Sequence, residues 1–175
     1  MTEPSDDYLM GRFAAGDYAA FEILYGRHKD AVYRYFLRGT HAASAADGHQ
    51  ETWARVVANS GRYRAQGRFR AWLFKIAHNV LMDQFRQPRH ETVSEDEVVA
   101  NGSPLRDVEY LEAAERLDAL IAALPVAQRE ALLLHKEAGL TVREIASVAG
   151  ITEEGVKSRL RYAMEKLRKG MRGYV

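Results

Sequence analysis

Apolar residues recur at spacings of three and four along most of the chain, and this period predicts amphipathic helices. The first long stripe lies in residues 17–39, where Asp17 is placed to cap a helix. Its predicted core positions are Phe21, Leu24, Tyr25, Val32, Tyr35 and Phe36. Two more helices are predicted, from near Ala45 to near Asn59 and from Phe69 to about Arg86. The middle one has Trp53, Val56 and Val57 on its predicted inner face. No stretch alternates with period two, so the sequence predicts an all-α fold.

The helical period stops in residues 91–112, a polar and acidic stretch with the composition of a linker. Prolines 88, 104 and 125 lie between periodic segments rather than inside them. The pattern therefore predicts two small helical domains, residues 1–90 and 113–175, joined by an acidic linker. Helices of the second domain are predicted over residues 111–124, from Val126 to Ala138, from Thr141, and from Thr152 to about Met171.

The C-terminal domain has the spacing of a helix-turn-helix, in which two helices joined by a tight turn cross at a steep angle. Ala146 is small where the helices touch, Gly150 supplies the positive φ of the turn, and Val156 pins the second helix. The predicted caps are Thr141, with Glu144 as its capping-box partner, and Thr152.

The second helix of this motif is cationic on its outer face, because residues 157–169 hold six Lys or Arg against Glu165 alone. Such a helix fits the major groove of DNA, with its first residues at base edges and later cations at phosphates. The alternative is a helical hairpin whose basic face meets only water.

A second candidate surface precedes the linker. On the helix from Phe69, one face is predicted to be core: Phe69, Trp72, Leu73, Ile76, Ala77 and Val80. The remaining residues are predicted to face outward together: Arg70, Phe74, Lys75, His78 and Asn79. The preceding loop, residues 63–68, adds further cations and a tyrosine. Cations that follow a backbone, with rings or amides that receive an unstacked base, are typical of single-stranded nucleic-acid binding.

Charge separates along the chain, although the total is only +1. Residues 62–90 carry a net +6, residues 91–124 a net −7, and residues 125–175 a net +4. Since phosphate attraction acts within about a Debye length of ~8 Å, two separated basic blocks predict two contacts with a polyanion.

Other function classes find little support. No metalloprotease, phosphate-loop or catalytic-triad motif occurs, and His49 lies two residues from both Asp47 and Glu51, so the three point to different helix faces. The chain has no cysteine, no long apolar run and an acidic N-terminus. The sequence predicts a soluble cytoplasmic protein that is not an enzyme and needs no metal or cofactor.

Together, the motifs resemble those of bacterial sigma factors of the extracytoplasmic-function (ECF) group in the sigma-70 family. The resemblance rests on AADGHQETWARV, on RYRAQGRFRAWLFKIAHNVLMDQFRQ and on the segment from LPVAQRE to AMEKLR, and it covers nearly the whole chain. It implies a factor that binds core RNA polymerase and promoter DNA and helps to open the duplex. It also implies an acidic linker that threads the nucleic-acid channel of the polymerase, and control by an anti-sigma factor or a Ser/Thr kinase.

The same resemblance implies roles for individual residues. The residues implied to dock on polymerase are Asp47, Gln50, Glu51 and Trp53. The downstream promoter element falls on Tyr63, Arg64, Arg68, Arg70, Lys75, His78, Asn79 and Asp83, with residues 63–68 as a base-capturing loop. The upstream element falls on Thr152, Lys157, Ser158, Arg159 and Arg161.

The docking helix departs from the family pattern, because only Asp47 remains of the usual acidic cluster and Gly48 follows it. A phosphate would add about −1.5 to −2 charge there, which motivates the hypothesis that phosphorylation of Thr52 or Ser44 strengthens docking. The competing class is a free-standing helix-turn-helix regulator, which would bind duplex DNA specifically without polymerase.

Overall fold

The computed structural model describes residues 2–87 and 108–174. Within these residues the chain is helical and contains no strand, which confirms the all-α prediction. The N-terminal helices are α1 (Asp6–Ala14), α2 (Tyr18–Gly39), α3 (Ala42–Ala58) and α4 (Phe69–Arg86), with a short 3-10 turn at Ser60–Arg62. The C-terminal helices are α5 (Val108–Ala123), α6 (Val126–Lys136), α7 (Val142–Ala149) and α8 (Glu153–Gly170).

Most of the predicted linker lies outside the described residues. Residues 108–112 lie within the bounds predicted for the linker but form the start of α5, so the helix predicted from residue 111 begins at Val108 instead. The division into two functional domains stays a prediction, while the helices on each side of the linker follow the predicted order.

Helix α1 was not predicted, although its start has a recognisable signal. The Ser5 hydroxyl accepts from the Tyr8 N–H, and two acidic residues occupy the first turn, where they complement the helix dipole. Asp6 binds Arg27 at 2.9 Å and His28 at 2.8 Å. These contacts hold α1 against α2, so the N-terminal domain contains four helices rather than three.

The core of the N-terminal domain differs from the predicted stripes, most clearly at Phe74 and Val57. Phe74, predicted to face outward, is fully buried and packs edge-on against Tyr35 with ring centroids 5.6 Å apart. Val57, predicted to face inward, is exposed. Phe69, Leu73 and Val56 are buried as predicted. The face of α4 that carries Phe74 is therefore buried by α2 rather than free for a ligand.

Gly48 allows α3 to pack closely against α2. A Cβ at this position would lie 2.5 Å from Cδ1 of Phe36 and 2.6 Å from its Cε1, and Phe36 is itself fully buried. The glycine that lowers helix propensity is therefore required by the contact between the two helices.

Gly48→Ala should destabilise the protein by about 1–3 kcal/mol, because the added methyl group overpacks the core. Helix propensity alone predicts that Gly48→Ala stabilises the protein. Gly26→Ala is the matched control, since no neighbouring atom lies within 4 Å of its Cβ position in α2, and it should stabilise by roughly 0.5–1 kcal/mol. Urea unfolding measures both, and a stabilised Gly48→Ala variant would contradict the packing argument.

The helix-turn-helix is confirmed in detail. Thr141 and Glu144 form both bonds of the capping box, Thr152 accepts from the Gly155 N–H, and Gly150 has φ 68° and ψ 36°. Val156 of α8 is fully buried. The turn and both caps therefore fix the orientation of α8, the cationic helix.

The two halves of the chain pack against each other. Helix α4 contacts α7, and α2 contacts both α5 and α6. Gly39 sits between Leu81 of α4 and Leu133 of α6, with its Cβ position 3.4 Å and 3.6 Å from their methyl groups. The described residues therefore share one continuous core.

Candidate nucleic-acid and polymerase interfaces

Helix α4 presents two polar surfaces instead of the single outward face that the sequence predicted. The first contains Asn79 and contributes to an open pocket on the N-terminal domain. The second contains Arg70, Lys75 and His78 and meets the C-terminal domain. The predicted downstream-element residues of this helix are thus divided between the pocket and a second surface that contacts the C-terminal domain, in which Arg70 and Lys75 stay exposed and His78 is half-buried.

The open pocket combines cations, amides and an indole ring. It is lined by Arg55, Asn59, Arg62, Trp72, Ile76 and Asn79. Trp72 was predicted as core, but it is only half-buried and its ring packs edge-on against Tyr63, with centroids 4.9 Å apart. Three of the lining residues, Arg55, Asn59 and Arg62, were missed by the sequence analysis, since they precede the basic-aromatic block.

Arg55 has its position in the pocket fixed by two carboxylates. Its Nε donates to Glu51 at 2.8 Å, and its Nη2 donates to Asp83 at 3.1 Å. The hydrogen bond that Arg55 donates to Glu51 is the main cause of the raised pKa of Arg55. Asp83, predicted to line the downstream element, accepts a hydrogen bond from Arg55 and is not among the residues that line the pocket.

The loop at residues 63–68 is anchored at two points by Asp7 of α1. The Tyr63 hydroxyl donates to one carboxylate oxygen of Asp7, and the Gly67 N–H donates to the other. Gly67 has φ 70°, the left-handed region that favours glycine. Burial raises the Tyr63 pKa, and the hydrogen bond and charge of Asp7 raise it further. Arg64 and Arg68 are exposed beside this anchored loop.

The predicted docking helix exposes three of its four residues. Asp47, Gln50 and Glu51 are exposed, whereas Trp53 is only 6% exposed and packs edge-on against Tyr25. The prediction that Trp53 touches a partner directly is therefore corrected: its ring supports the helix from within. Next to Trp53 lies a patch that the sequence analysis did not predict, formed by Tyr25, Tyr33 and His49.

Thr52 is not available for modification. Its side chain is fully buried, and its hydroxyl donates to the Gly48 carbonyl at 2.8 Å. A phosphate there would require the helix to leave the core, so this prediction is wrong. Ser44 is half-buried, and its carbonyl accepts from Gln84 at 2.9 Å.

The predicted upstream surface lies on α8. Thr152 uses its hydroxyl as the helix cap, and Lys157 and Arg161 are exposed, while Ser158 and Arg159 are half-buried. Lys157 binds Glu154 at 3.0 Å, which raises the Lys157 pKa. Such an exposed pair is weak and exchanges readily for a phosphate contact.

Other kinds of site are not found in the described part of the chain. No group of three His, Asp or Glu residues there is arranged to bind a metal ion. Of the helices in residues 2–87 and 108–174, none combines the length and apolarity needed to cross a membrane.

Comparison with known families gives two matches in the predicted order. Residues 24–91 match sigma-70 region 2, and residues 114–167 match sigma-70 region 4. The first match covers the pocket and the docking helix, and the second covers the helix-turn-helix.

Among curated proteins, the ECF RNA polymerase sigma factor BldN of Streptomyces coelicolor is 37% identical over 86% of this chain, which spans 60% of that relative. The RNA polymerase sigma factor CarQ of Myxococcus xanthus is 34% identical over 91% of this chain and 93% of its own. The chain belongs to the sigma-70 family, in the ECF group. Members of this family are promoter-directed transcription initiation factors and not enzymes.

Among solved structures, CnrH in complex with the cytosolic domain of CnrY is 25% identical, with a TM-score of 0.71, and the match covers 94% of this chain and 95% of that one. The sigma factor RpoE of Bartonella quintana, crystallised with the anti-sigma factor NepR, is 20% identical with a TM-score of 0.70, covering 87% of this chain and 97% of that one. The second likeness concerns the fold alone.

Proposed function

We propose that this protein binds core RNA polymerase, recognises two promoter elements and helps to open the duplex between them. The observation that carries the proposal is the pocket beside α4. It places two guanidinium groups, two side-chain amides and an indole around one opening, next to a loop whose conformation is fixed by Asp7.

The pocket has the chemistry that an unstacked base of a single strand requires. Asn59 and Asn79 offer donors and acceptors to a base edge, Trp72 offers a ring for stacking, and Arg55 and Arg62 attract the adjacent phosphates. Arg64 and Arg68 lie on the adjoining loop, where they would follow the strand. We assign this surface to the non-template strand of the downstream element.

The upstream element is assigned to α8. Its capped N-terminus and exposed Lys157 and Arg161 fit a major groove. Docking on polymerase is assigned to the exposed residues of α3, Asp47, Gln50 and Glu51, together with the patch formed by Tyr25, Tyr33 and His49. The acidic linker would occupy the nucleic-acid channel of the polymerase.

Control by an anti-sigma factor, in the cytoplasm, is the regulation we propose. Its support is the fold shared with CnrH, which was solved with the cytosolic domain of CnrY. The phosphorylation hypothesis is now restricted to Ser44, and its only support is the small number of carboxylates in α3.

Run-off transcription with purified core polymerase tests the proposed function. The holoenzyme should initiate at discrete genomic positions, while the protein alone should show weak duplex binding. Specific duplex binding by the protein alone, with no transcript from the holoenzyme, would instead identify a free-standing regulator.

Asn79→Ala should reduce the rate of promoter opening about fivefold to tenfold, because one amide contact to the captured base is lost. Its fold should be unchanged, since Asn79 is exposed. Gln87→Ala, at an exposed position just after α4, is the control. Permanganate reactivity of unpaired thymines measures promoter opening. A normal rate of opening with Asn79→Ala would show that Asn79 does not contact the captured base.

A further inference from the structure

The side-chain amide of Asn59 has a fixed orientation in the open pocket. Asn59 lies at the C-terminal end of α3, and its Nδ2 donates to the Arg55 carbonyl at 2.8 Å. The backbone N–H of Asn59 donates to the same carbonyl at 3.0 Å. Because a carbonyl oxygen only accepts, the amide cannot turn over without losing its bond to Arg55. The bond therefore leaves Oδ1 of Asn59 as a fixed acceptor for a ligand.

The other polar groups of the pocket have no such fixed acceptor. The Arg55 guanidinium can only donate, and its Nε and Nη2 are already bonded to Glu51 and Asp83, which compensate its charge. Asn79 is exposed on α4, so its amide can present either the oxygen or the nitrogen to a base. Among the described residues that line the pocket there is no carboxylate. Asn59 is therefore the residue that requires a donor from the base.

The edge of the base that lies furthest from the sugar determines which group reaches this acceptor. Arg62, Arg64 and Arg68 are exposed around the opening, where they would bind phosphates and keep the sugar outside. The base would then enter by its Watson–Crick edge. The leading substituent is an amine in adenine and cytosine, N6 or N4, and a carbonyl oxygen in guanine and thymine, O6 or O4. Only the amine can donate to Oδ1 of Asn59.

We propose that Asn59 selects the base that the pocket captures, and that it accepts adenine or cytosine and rejects guanine and thymine. The chemistry that the two accepted bases share is an exocyclic amine next to a ring nitrogen that accepts. A carbonyl oxygen in the same place would face Oδ1, and both acceptors would then lack a donor. This inference rests on the proposed function, since it assigns a class of base to the strand-binding pocket.

Bases in which a carbonyl oxygen replaces the amine test the proposal directly. Run-off transcription first locates a promoter, and the holoenzyme is then bound to a labelled copy of it in which mismatches have already melted the downstream element. In the non-template strand, each adenine is replaced in turn by hypoxanthine and each cytosine by uracil. At one position the replacement should weaken holoenzyme binding, measured by fluorescence anisotropy, about tenfold or more. The base at that position shows whether the pocket takes adenine or cytosine.

The variants separate selection by Asn59 from a structural role. Asn59→Ala should remove the discrimination, so that templates with the original and the replaced base bind within about twofold of each other. A structural role alone would weaken binding to both templates equally and leave their ratio unchanged. Asn79→Ala should weaken binding but keep most of the ratio, because its amide adapts to either edge. Gln87→Ala, at an exposed position just after α4, should leave both affinities unchanged.

Asn59→Ser is the second variant if circular dichroism shows that Asn59→Ala does not fold. A serine hydroxyl can donate to the carbonyl four residues earlier, which is that of Arg55, so the end of α3 keeps its side-chain bond. The amide oxygen is nevertheless removed. Asn59→Ser should therefore lose the discrimination to the same extent as Asn59→Ala.

The possible failures of this inference and of the proposed function are distinguishable. Binding that responds to the replacement at no position would overturn the selection by Asn59, and so would tighter binding of the carbonyl base. Full discrimination in a folded Asn59 variant would also overturn it, because another residue would then read the base. A holoenzyme that binds the unmodified melted template no better than core polymerase alone would overturn the proposed function, and the inference with it.

Discussion

Phe74→Ala should lower the free energy of unfolding by about 3–5 kcal/mol, the range for removing a fully buried aromatic ring. Phe74 is fully buried and lies edge-on to Tyr35, which is also fully buried beneath α6. The cavity would open where α2, α4 and the C-terminal domain meet. Urea unfolding followed by circular dichroism measures the change.

Trp72→Ala is the comparison for that prediction. Trp72 is half-buried and lines the open pocket, so its loss should cost less stability than the loss of Phe74 and should mainly impair promoter opening. The helical period of the sequence alone predicts the reverse order. A larger loss of stability for Trp72→Ala than for Phe74→Ala would contradict the packing described for α4.

Asp7→Ala should slow promoter opening about 30-fold, which corresponds to about 2 kcal/mol. Asp7 accepts hydrogen bonds from Tyr63 and from the Gly67 N–H, and hydrogen bonds to a charged group are worth about 1.5–3 kcal/mol each. Without these hydrogen bonds, part of the free energy of strand binding would be needed to order the loop. Permanganate footprinting of the holoenzyme on duplex promoter measures the rate of opening.

Three controls separate a positioning role for Asp7 from a general loss of stability. Asp17→Ala removes a half-buried carboxylate that binds Arg12, away from the loop, and should leave opening unchanged. Asp7→Asn should restore part of the rate, since the amide still joins Tyr63 to Gly67. A template that is already melted should rescue Asp7→Ala. Equal defects on duplex and melted templates would show that Asp7 does not act through the loop.

The helices and the helix-turn-helix could be predicted because their signals are local. Backbone geometry within a few residues determines the cap at Thr141 and Glu144, the turn at Gly150, and the spacing from Ala146 to Val156. The beginning of α4 at Phe69 was also predicted, although no side chain caps this helix. Helix α1 was missed although Ser5 and the two aspartates after it are a local start signal, because its apolar stripe is short.

The surfaces were predicted less well, since they depend on which helix covers which face. The period of α4 allows either Trp72 or Phe74 to be the better buried ring, and only the position of α2 decides between them. The contribution of Arg55, Asn59 and Arg62 to the pocket depends on how α3 crosses α4. Neither that crossing nor the contact between Glu130 and His78, 52 residues apart, leaves a periodic signal in the sequence.

Arg55 belongs to two surfaces at once. Its guanidinium lines the pocket on one side and on the other binds Glu51, an exposed carboxylate of the helix assigned to polymerase docking. A partner whose cations bind Glu51 would break the hydrogen bond between Glu51 and Arg55. Arg55 would then keep its hydrogen bond to Asp83, and the pocket would become more positive because one carboxylate has left the guanidinium. By linkage, a strand bound in the pocket must then change the affinity of α3 for that partner by the same factor. Polymerase binding and strand capture would thus be energetically coupled through one side chain.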